Sequence, residues 1–584
     1  MRKKAFIYFL LILVSVLPSQ ATPKYENFNL VPYLKKVNED VIFSRINVEL
    51  LKGLSASLIL GTSNLPCITP TKEEKSFFSA TDVVSISSTT KFTHSSSFIK
   101  SNEDLSLAKR KGVVLFGIID QYTGEEIVLS KVIGTPKVDK VIYFQLGTEY
   151  FKRNYDFIDS RWFGFVSDLV LDKNNGYVSG TDNSEKLLQL LSYTGNLKIS
   201  KGNYFFNSNG FKVKSNTSLD LSDGILKYKS TSIYVPFLTL GGETFLSENI
   251  KLTNGKIIGN KNEFSAVTEW MHGVAIKEAK RIIIENVESS LNRGDGLYIG
   301  NDNEIEANRS EFIDVLNCVF DKNHRQGCSI VSGQNIRFTT TKFINTRGTA
   351  PQAGVDIEPD IRTNGFRDLC KNIIFDSCEF SGNASTGACI NGVLNNSTNT
   401  EDISNIEFNN SIFSKNSATG IEFRACNTIK VNNCIVDALE NGILFSDAVY
   451  KNIAITNTKL FGNKSGIGIY IIANTTDLIS EDVRIDNCEV YNFGRYGVLV
   501  EEKPSTFLKS FLFTNNNVHH NYHNIHIQKG VVKAVYSGNK STKVGLDINN
   551  VKYPGWTFGW EFSKRDEAAS RKDSDKYSNL KGSP

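Results

Sequence analysis

The feature that most constrains this chain is a repeat. From about residue 248 onward a short apolar–polar alternation recurs. IIIENVESS (Ile282 to Ser290) is echoed by FIDVLNCVF, IRFTTTKFI, IIFDSCEFS, IEFNNSIFS, IKVNNCIVD, IAITNTKLF, VRIDNCEVY and FLFTNNNVH. Aligned on the polar residue after the alternation, these give a column of Asn286, Asn317, Thr340, Ser377, Asn410, Asn433, Asn457, Asn487 and Asn515, seven of the nine asparagine. The shortest spacing is 23 residues, and longer ones carry insertions. One coil of this length cannot bury its own apolar face, so the period predicts a solenoid of stacked β-coils. Helical periodicity is absent, which excludes a helical-repeat solenoid. Asparagines stacked at one turn can hydrogen-bond from coil to coil, as polar ladders do in other stacked sheets.

The next column holds Val287, Cys318, Thr341, Cys378, Ser411, Cys434, Thr458, Cys488 and Asn516. Four cysteines therefore occupy one small-residue slot, where they are expected to pack as small hydrophobes. Nine cysteines in all, an odd number with no CxxC pair, argue against a metal cluster. A second strand follows in each coil after a glycine, as in GLYIG, GCSIV, GVDIE, GACIN, GIEFR, GILFS, GIGIY and GVLVE. Period-two alternation turns Leu297, Ile299, Cys328, Ile330, Val355, Ile357, Ala388, Ile390, Ile421 and Phe423 inward. It sends Tyr298, Ser329, Asp356, Glu358, Cys389, Asn391, Glu422 and Arg424 outward on one parallel sheet.

The flanks set the context. Arg2, Lys3 and Lys4 precede an apolar run, Ala5 to Leu17, and Ser19-Gln20-Ala21 offers a cleavage site, so residues 1–21 read as a secretory signal and the protein as secreted or periplasmic. That run is shorter than the about 20 residues of a membrane span, and no transmembrane segment is expected. Its removal takes the formal charge from +4 to +4 − 3 = +1, with lysines scattered, so no nucleic-acid partner is expected. Residues 22–159 read as a β-rich accessory domain, through stretches such as GVVLFGIID and KVIYFQLG. Residues 160–550 read as the solenoid. Residues 551–584 hold an aromatic patch (Trp556, Phe558, Trp560) and a charged tail of disordered composition. Monomer and trimer are both left open.

SRWFGFVSD (Ser160 to Asp168), TDNSEKLLQLL (Thr181 to Leu191) and LKISKGNYFF (Leu197 to Phe206) resemble the opening of the pectate-lyase-like right-handed parallel β-helix family. This is the rhamnogalacturonase/epimerase group, which includes phage tailspike depolymerases. Trp162, Phe163, Gly164, Thr181, Asp182, Asn183, Gly202 and Tyr204 carry the match, over roughly residues 160–540. The resemblance implies an all-β fold, a right-handed parallel β-helix, and a polysaccharide partner. It implies a short helix capping the first coil, and Ser184 to Leu191 offers one, with Leu187, Leu188, Leu190 and Leu191 as its apolar stripe and Asp182 as its N-cap. The polygalacturonase pattern of NTD, DD, GHG and RIK is missing, as is the pectate-lyase arginine signature. AGVDIEPD resembles the Asp-Pro-His-Asp segment of alginate epimerases without its histidine. The reaction must therefore be argued from residues.

Insertions at Asn301 to Glu311, Thr346 to Ala353, Asp360 to Cys370 and Val393 to Ile403 gather along the outward sheet, and such loops commonly wall a groove. Among them lies the densest polar cluster: Asp295 and Tyr298, His324, Arg325 and Gln326, Asp356 and Glu358, Asp360 and Arg362, Asn391, Glu422 and Arg424. Strand rise places Asp356 and Glu358 about 6.5–7 Å apart, near the separation of an inverting glycosidase. They are the expected catalytic pair, with Asp295 and Glu422 as alternates. Arg325, Arg424, His324, Gln326, Asn391 and Tyr298 are expected to bind substrate, the arginines suiting an acidic sugar and Tyr298 and Trp270 offering stacking faces. A lyase would use Arg325, His324 and Tyr298 with calcium on Asp295 or Glu358; otherwise no cofactor is required and no metal is expected. The four histidines His519, His520, His523 and His526 resemble a metal tract but fit exposed turn residues better. The expected function is cleavage of a polysaccharide by hydrolysis or elimination. The alternatives are a non-catalytic glycan-binding or surface-assembly β-helix and a uronate epimerase. Outward charges on a β-helix can also simply pair across coils.

Overall fold

The computed structural model describes residues 114–541 and 544–546 with short breaks, and the isolated strands Leu58–Ile59, Cys67–Ile68, Thr90–Phe92 and Thr557–Glu561. The expected signal segment, much of the N-terminal domain and the tail lie outside the described residues, as do 302–308, 361–366 (with Arg362) and 393–400 within three insertions. Two compact units divide at Phe165 and Val166. In the first, strands Thr90–Phe92, Val114–Asp120, Glu126–Val132, Glu149–Arg153 and Tyr143–Leu146 form, in that order, an antiparallel five-stranded sheet. The WFG segment belongs to this unit. Its Trp162 is buried beneath the Arg153 guanidinium, which lies 3.8 Å from the ring centroid and is paired with Asp120.

The second unit is the right-handed parallel β-helix. Thirteen strands from Phe211–Val213 to Val544–Leu546 stack in sequence order as one parallel sheet, which is the outward sheet of the repeat. Most coils add two further strands that meet at the asparagine column, as Gly333–Thr339 and Lys342–Ile344 do at Thr340, whereas in the first coils one long strand such as Ala279–Ser290 runs through it. All nine residues of that column adopt left-handed φ, between 50° and 56°. This explains the asparagine preference, because Asn tolerates that conformation where most L-residues do not. The column also bonds along the axis. Asn317 Nδ2 donates to Asn286 Oδ1 (2.8 Å), Asn433 to Asn410 (2.7 Å) and Asn487 to Asn457 (2.7 Å). Thr340 and Ser377 break the run.

Inside, like stacks on like. Phe320, Phe343, Phe380 and Phe413 form one ladder at 4.5–5.5 Å, and Phe338, Phe375 and Phe408 a second at 4.8–4.9 Å. Each fully buried ring contributes about 1.5–3 kcal/mol of apolar burial. The ten residues expected to point inward are wholly buried. Cys318, Cys378, Cys434 and Cys488 are buried beside main-chain carbonyls, and burial pushes their thiols up to about 12. The eight cysteines from Cys318 to Cys488 are free thiols.

The first-coil helix spans Ser184–Leu190 and differs from expectation in two ways. Asn183, not Asp182, is the N-cap; Asp182 instead accepts from the Ser184 N–H and hydroxyl, and Asn183 spends its amide on Val166 and Thr181. Leu187, Leu190 and Leu191 are buried, but Leu188 is exposed, since only one stripe of a single-layer helix meets the coil.

Candidate functional site

The residue before each strand-opening glycine lies at one edge of the outward sheet: His272, Asp295, Gln326 and Ala353 in successive coils, linked by main-chain bonds from Gly273 to Asp295, Gly296 to Gln326 and Gly327 to Ala353. Two columns of outward side chains run beside that edge. Register pairs Tyr298 with Ser329, Ser329 with Asp356, Asp356 with Cys389, and Cys389 with Glu422. Two residues further along the strands, Asn391 pairs with Arg424.

The centre is Asp356. It faces away from the coil core yet is only 3% exposed, because neighbours cover it. Gln326 Nε2 donates to Asp356 Oδ2 (3.0 Å), while Gln326 Oε1 accepts from the Ala353 N–H (3.0 Å), which fixes the orientation of the amide. The Asp356 and Glu358 side chains lie close enough to act on each other's protonation. The expected separation of about 6.5–7 Å is the strand-rise spacing of the two backbones, from which the side chains depart toward each other. Asn391 Nδ2 donates to Glu358 Oε1 (2.9 Å). Burial pushes the Asp356 carboxyl well up, Glu358 adding to the effect, Arg325 opposing it and Asp295 adding again. Glu358 is raised as well, by burial and by Asp360, against Arg325. Both carboxyls are raised and each acts on the other, so they titrate as a pair rather than one by one.

Arg325 stands beside this dyad. Its Nη1 lies 3.6 Å from Asp295 Oδ2 and donates to Ser329 Oγ (3.3 Å), and its Nε lies 3.9 Å from Glu269. Burial works against its charge, but Asp295, then Asp356, Glu269 and Glu358, outweigh burial and hold it charged. The Asp295 oxygen that would hold calcium in the lyase reading thus faces the Arg325 guanidinium instead. Among the described residues no group of three or more His, Cys, Asp or Glu is arranged to hold a metal.

The other expected residues divide. Asp295 is wholly buried, with His272 Nδ1 3.1 Å from its Oδ2 and also accepting from its backbone N–H (3.1 Å). Gln326 is wholly buried, so the expectation that it touches substrate is corrected: it positions Asp356. Tyr298 is buried and one face of its ring is covered by His272, at 4.6 Å and 9°, so it offers no open stacking platform; Trp270 is half exposed. His324 bonds Thr349 Oγ1 (3.0 Å), and burial, Lys261 and Arg293 push its imidazole down. It belongs to the Thr346–Ala353 turn rather than to the dyad. Glu422 accepts from Arg424 (2.6 Å) and Ser446 (3.0 Å), two coils beyond Asp356, with Cys389 between. The C-terminal histidines split between two faces. His519 bonds Glu489 and contacts His520, while His523 and His526 lie against Tyr496. His272 and Glu269 escaped the sequence reading; aligning the residue before each glycine would have found His272.

No protein-family model matches the chain. The uncharacterized protein YclG of Bacillus subtilis (strain 168) is 29% identical over 126 residues, which is 19% of this chain and 21% of that protein. The chain thus matches about a fifth of the length of this curated relative. Among solved structures, the pre-mature gene product 12 of bacteriophage phi29 superposes with a TM-score of 0.51 and 13% identity, over 70% of this chain and 55% of that one. The A-module of the Azotobacter vinelandii mannuronan C-5 epimerase AlgE4 gives a TM-score of 0.44 and 12% identity, over 69% and 100% of the two chains. At these identities the likeness is one of fold.

Proposed function

We propose that this protein hydrolyses a polysaccharide lying along the outward sheet. The observation that carries the reading is the buried Asp356–Glu358 carboxyl pair, held by Gln326 on Asp356 and Asn391 on Glu358, whose raised protonation equips it as a general acid. Glu358, the half-buried member, protonates the departing glycosidic oxygen as Asp356 hands over the shared proton. The carboxylate left on Asp356 keeps the Gln326 amide bond and the nearby Arg325 charge. The second carboxyl is Glu422. Two coil steps of about 4.8 Å and two residues of strand rise set its backbone about 12 Å from that of Glu358, and the reach of both side chains brings the carboxyls toward the about 6.5–9.5 Å that leaves room for an attacking water. Glu422 activates that water, and the configuration at the anomeric carbon inverts.

Elimination is supported less well, since it must neutralise a sugar carboxylate and both arginines of this face already pair with carboxylates of the chain. The test is incubation of the protein with a panel of neutral, amino and acidic polysaccharides, following reducing ends, the ultraviolet absorbance of an unsaturated uronate, and the anomer first released. We expect reducing ends without that absorbance, an inverted product, and a loss of about 100-fold or more in Glu358→Gln. Product bearing the unsaturated chromophore, or full activity in Glu358→Gln, would overturn the mechanism.

A further inference from the structure

Resting on that reading, we propose that the glycan accepted by this face carries no carboxylates: it is uncharged or bears amino groups, and uronic acid polymers are excluded. The sequence reading favoured an acidic sugar because Arg325 and Arg424 lie beside the carboxyl cluster. The geometry withholds Arg325 and commits one edge of the Arg424 guanidinium, itself 43% exposed, to Glu422. Arg325 is only 16% exposed and is held among Asp295 (3.6 Å), Glu269 (3.9 Å), Asp356 and Glu358. Arg424 is bound through Nη2 to Glu422 (2.6 Å) and through Nε to Ser446 (2.7 Å). A guanidinium that already faces a carboxylate has lost the fork geometry that recognises another.

The remaining charge points the same way. Asp295, Asp356, Glu358, Asp360 and Glu269 gather around the pair and Arg325, with Glu422 two coils on; Lys277, its ammonium 5.5 Å from the Tyr298 ring, and Lys212 are further cations on strands of the sheet's described part. Even with one proton shared inside the dyad, carboxylates outnumber cations. Asp295 adds a second observation: it is wholly buried, neither of its oxygens accepts a hydrogen bond, and Arg325 Nη1 stands 3.6 Å from its Oδ2. A row of sugar carboxylates laid here would meet like charges over a half-buried surface, where screening is weak. A protonated amine or a hydroxyl would meet acceptors.

The experiment uses three matched pairs, polygalacturonate, alginate and hyaluronate, each beside its carboxyl-reduced form, with chitosan oligosaccharides as the amino probe. Binding is measured by calorimetry at low and at physiological salt, separately from cleavage. We expect at least about tenfold tighter binding of the reduced member in the pairs that bind, a preference that shrinks as salt rises, and binding of chitosan oligosaccharides. Glu269→Gln removes an exposed partner of Arg325 and should narrow the preference several-fold. An unchanged ratio in that variant, tighter binding of an acidic member, or binding to none of the probes overturns the proposal. Binding with the expected preference but no cleavage retires the hydrolase and leaves this inference standing. Cleavage of a uronate polymer does the reverse.

Discussion

Asp356 shows how far a residue-by-residue reading reaches. Period-two alternation put it on the outward face, and the register confirms that placement, with Ser329 and Cys389 on either side. Alternation says nothing about what lies over a side chain. The cover comes from Gln326 and Arg325, on the preceding coil's turn, and from Glu358 on its own strand. The consequence for stability has a definite sign. Burial and Glu358 favour the proton on Asp356 more in the folded chain than in the unfolded one, so the folded state gains from that proton at acid pH. It loses this contribution as pH rises through the raised folded value. Asp356→Asn carries no such proton and still offers an oxygen to Gln326. Its melting temperature should match the parent at acid pH and exceed it by a few degrees at mildly alkaline pH. A constant difference across pH would show that Asp356 does not hold the dyad's proton. Turnover, in turn, should fall as pH rises through the dyad's raised values, since the acid is then spent.

The coil was the most legible element. Its asparagine column, cysteine slot and inward strand residues were all readable, because each obeys a local rule repeated many times: left-handed φ, small volume, apolar alternation. The Thr346–Ala353 turn was not legible, since its function depends on one main-chain N–H meeting Gln326 across a coil boundary. The ladder also shows where the element is weakest. Thr340 holds φ of 50° with a β-branched side chain and interrupts the amide run above Asn317. Thr340→Asn should therefore stabilise the unit by about 1 kcal/mol in chemical denaturation, through relief of a strained backbone. No gain would mean that the neighbouring coils, not the turn residue, set that conformation. Phe380→Ala, in the middle of a stacked run, should cost about 3–5 kcal/mol.

At the scale of the whole molecule, the β-helix is held by contacts between nearest coils, so its length is not fixed by a single closed core. Removing residues 457–486, one whole coil beyond the candidate site, should leave far-ultraviolet dichroism of the same β type and cleavage intact. Loss of cooperative unfolding in that deletion would contradict nearest-neighbour stabilisation. Removing 377–409 instead takes out the coil that separates Asp356 from Glu422, and with it Asn391; the fold should persist while inverting cleavage disappears. The stacking also makes spacing along the sheet discrete, in steps of about 4.8 Å. A linear polymer laid along this surface has a repeat of its own, and the two periods act together as a vernier. Where the graduations coincide, a bond is presented to the dyad; a few units away they fall out of step, and the next bond waits until the chain has slid by one notch.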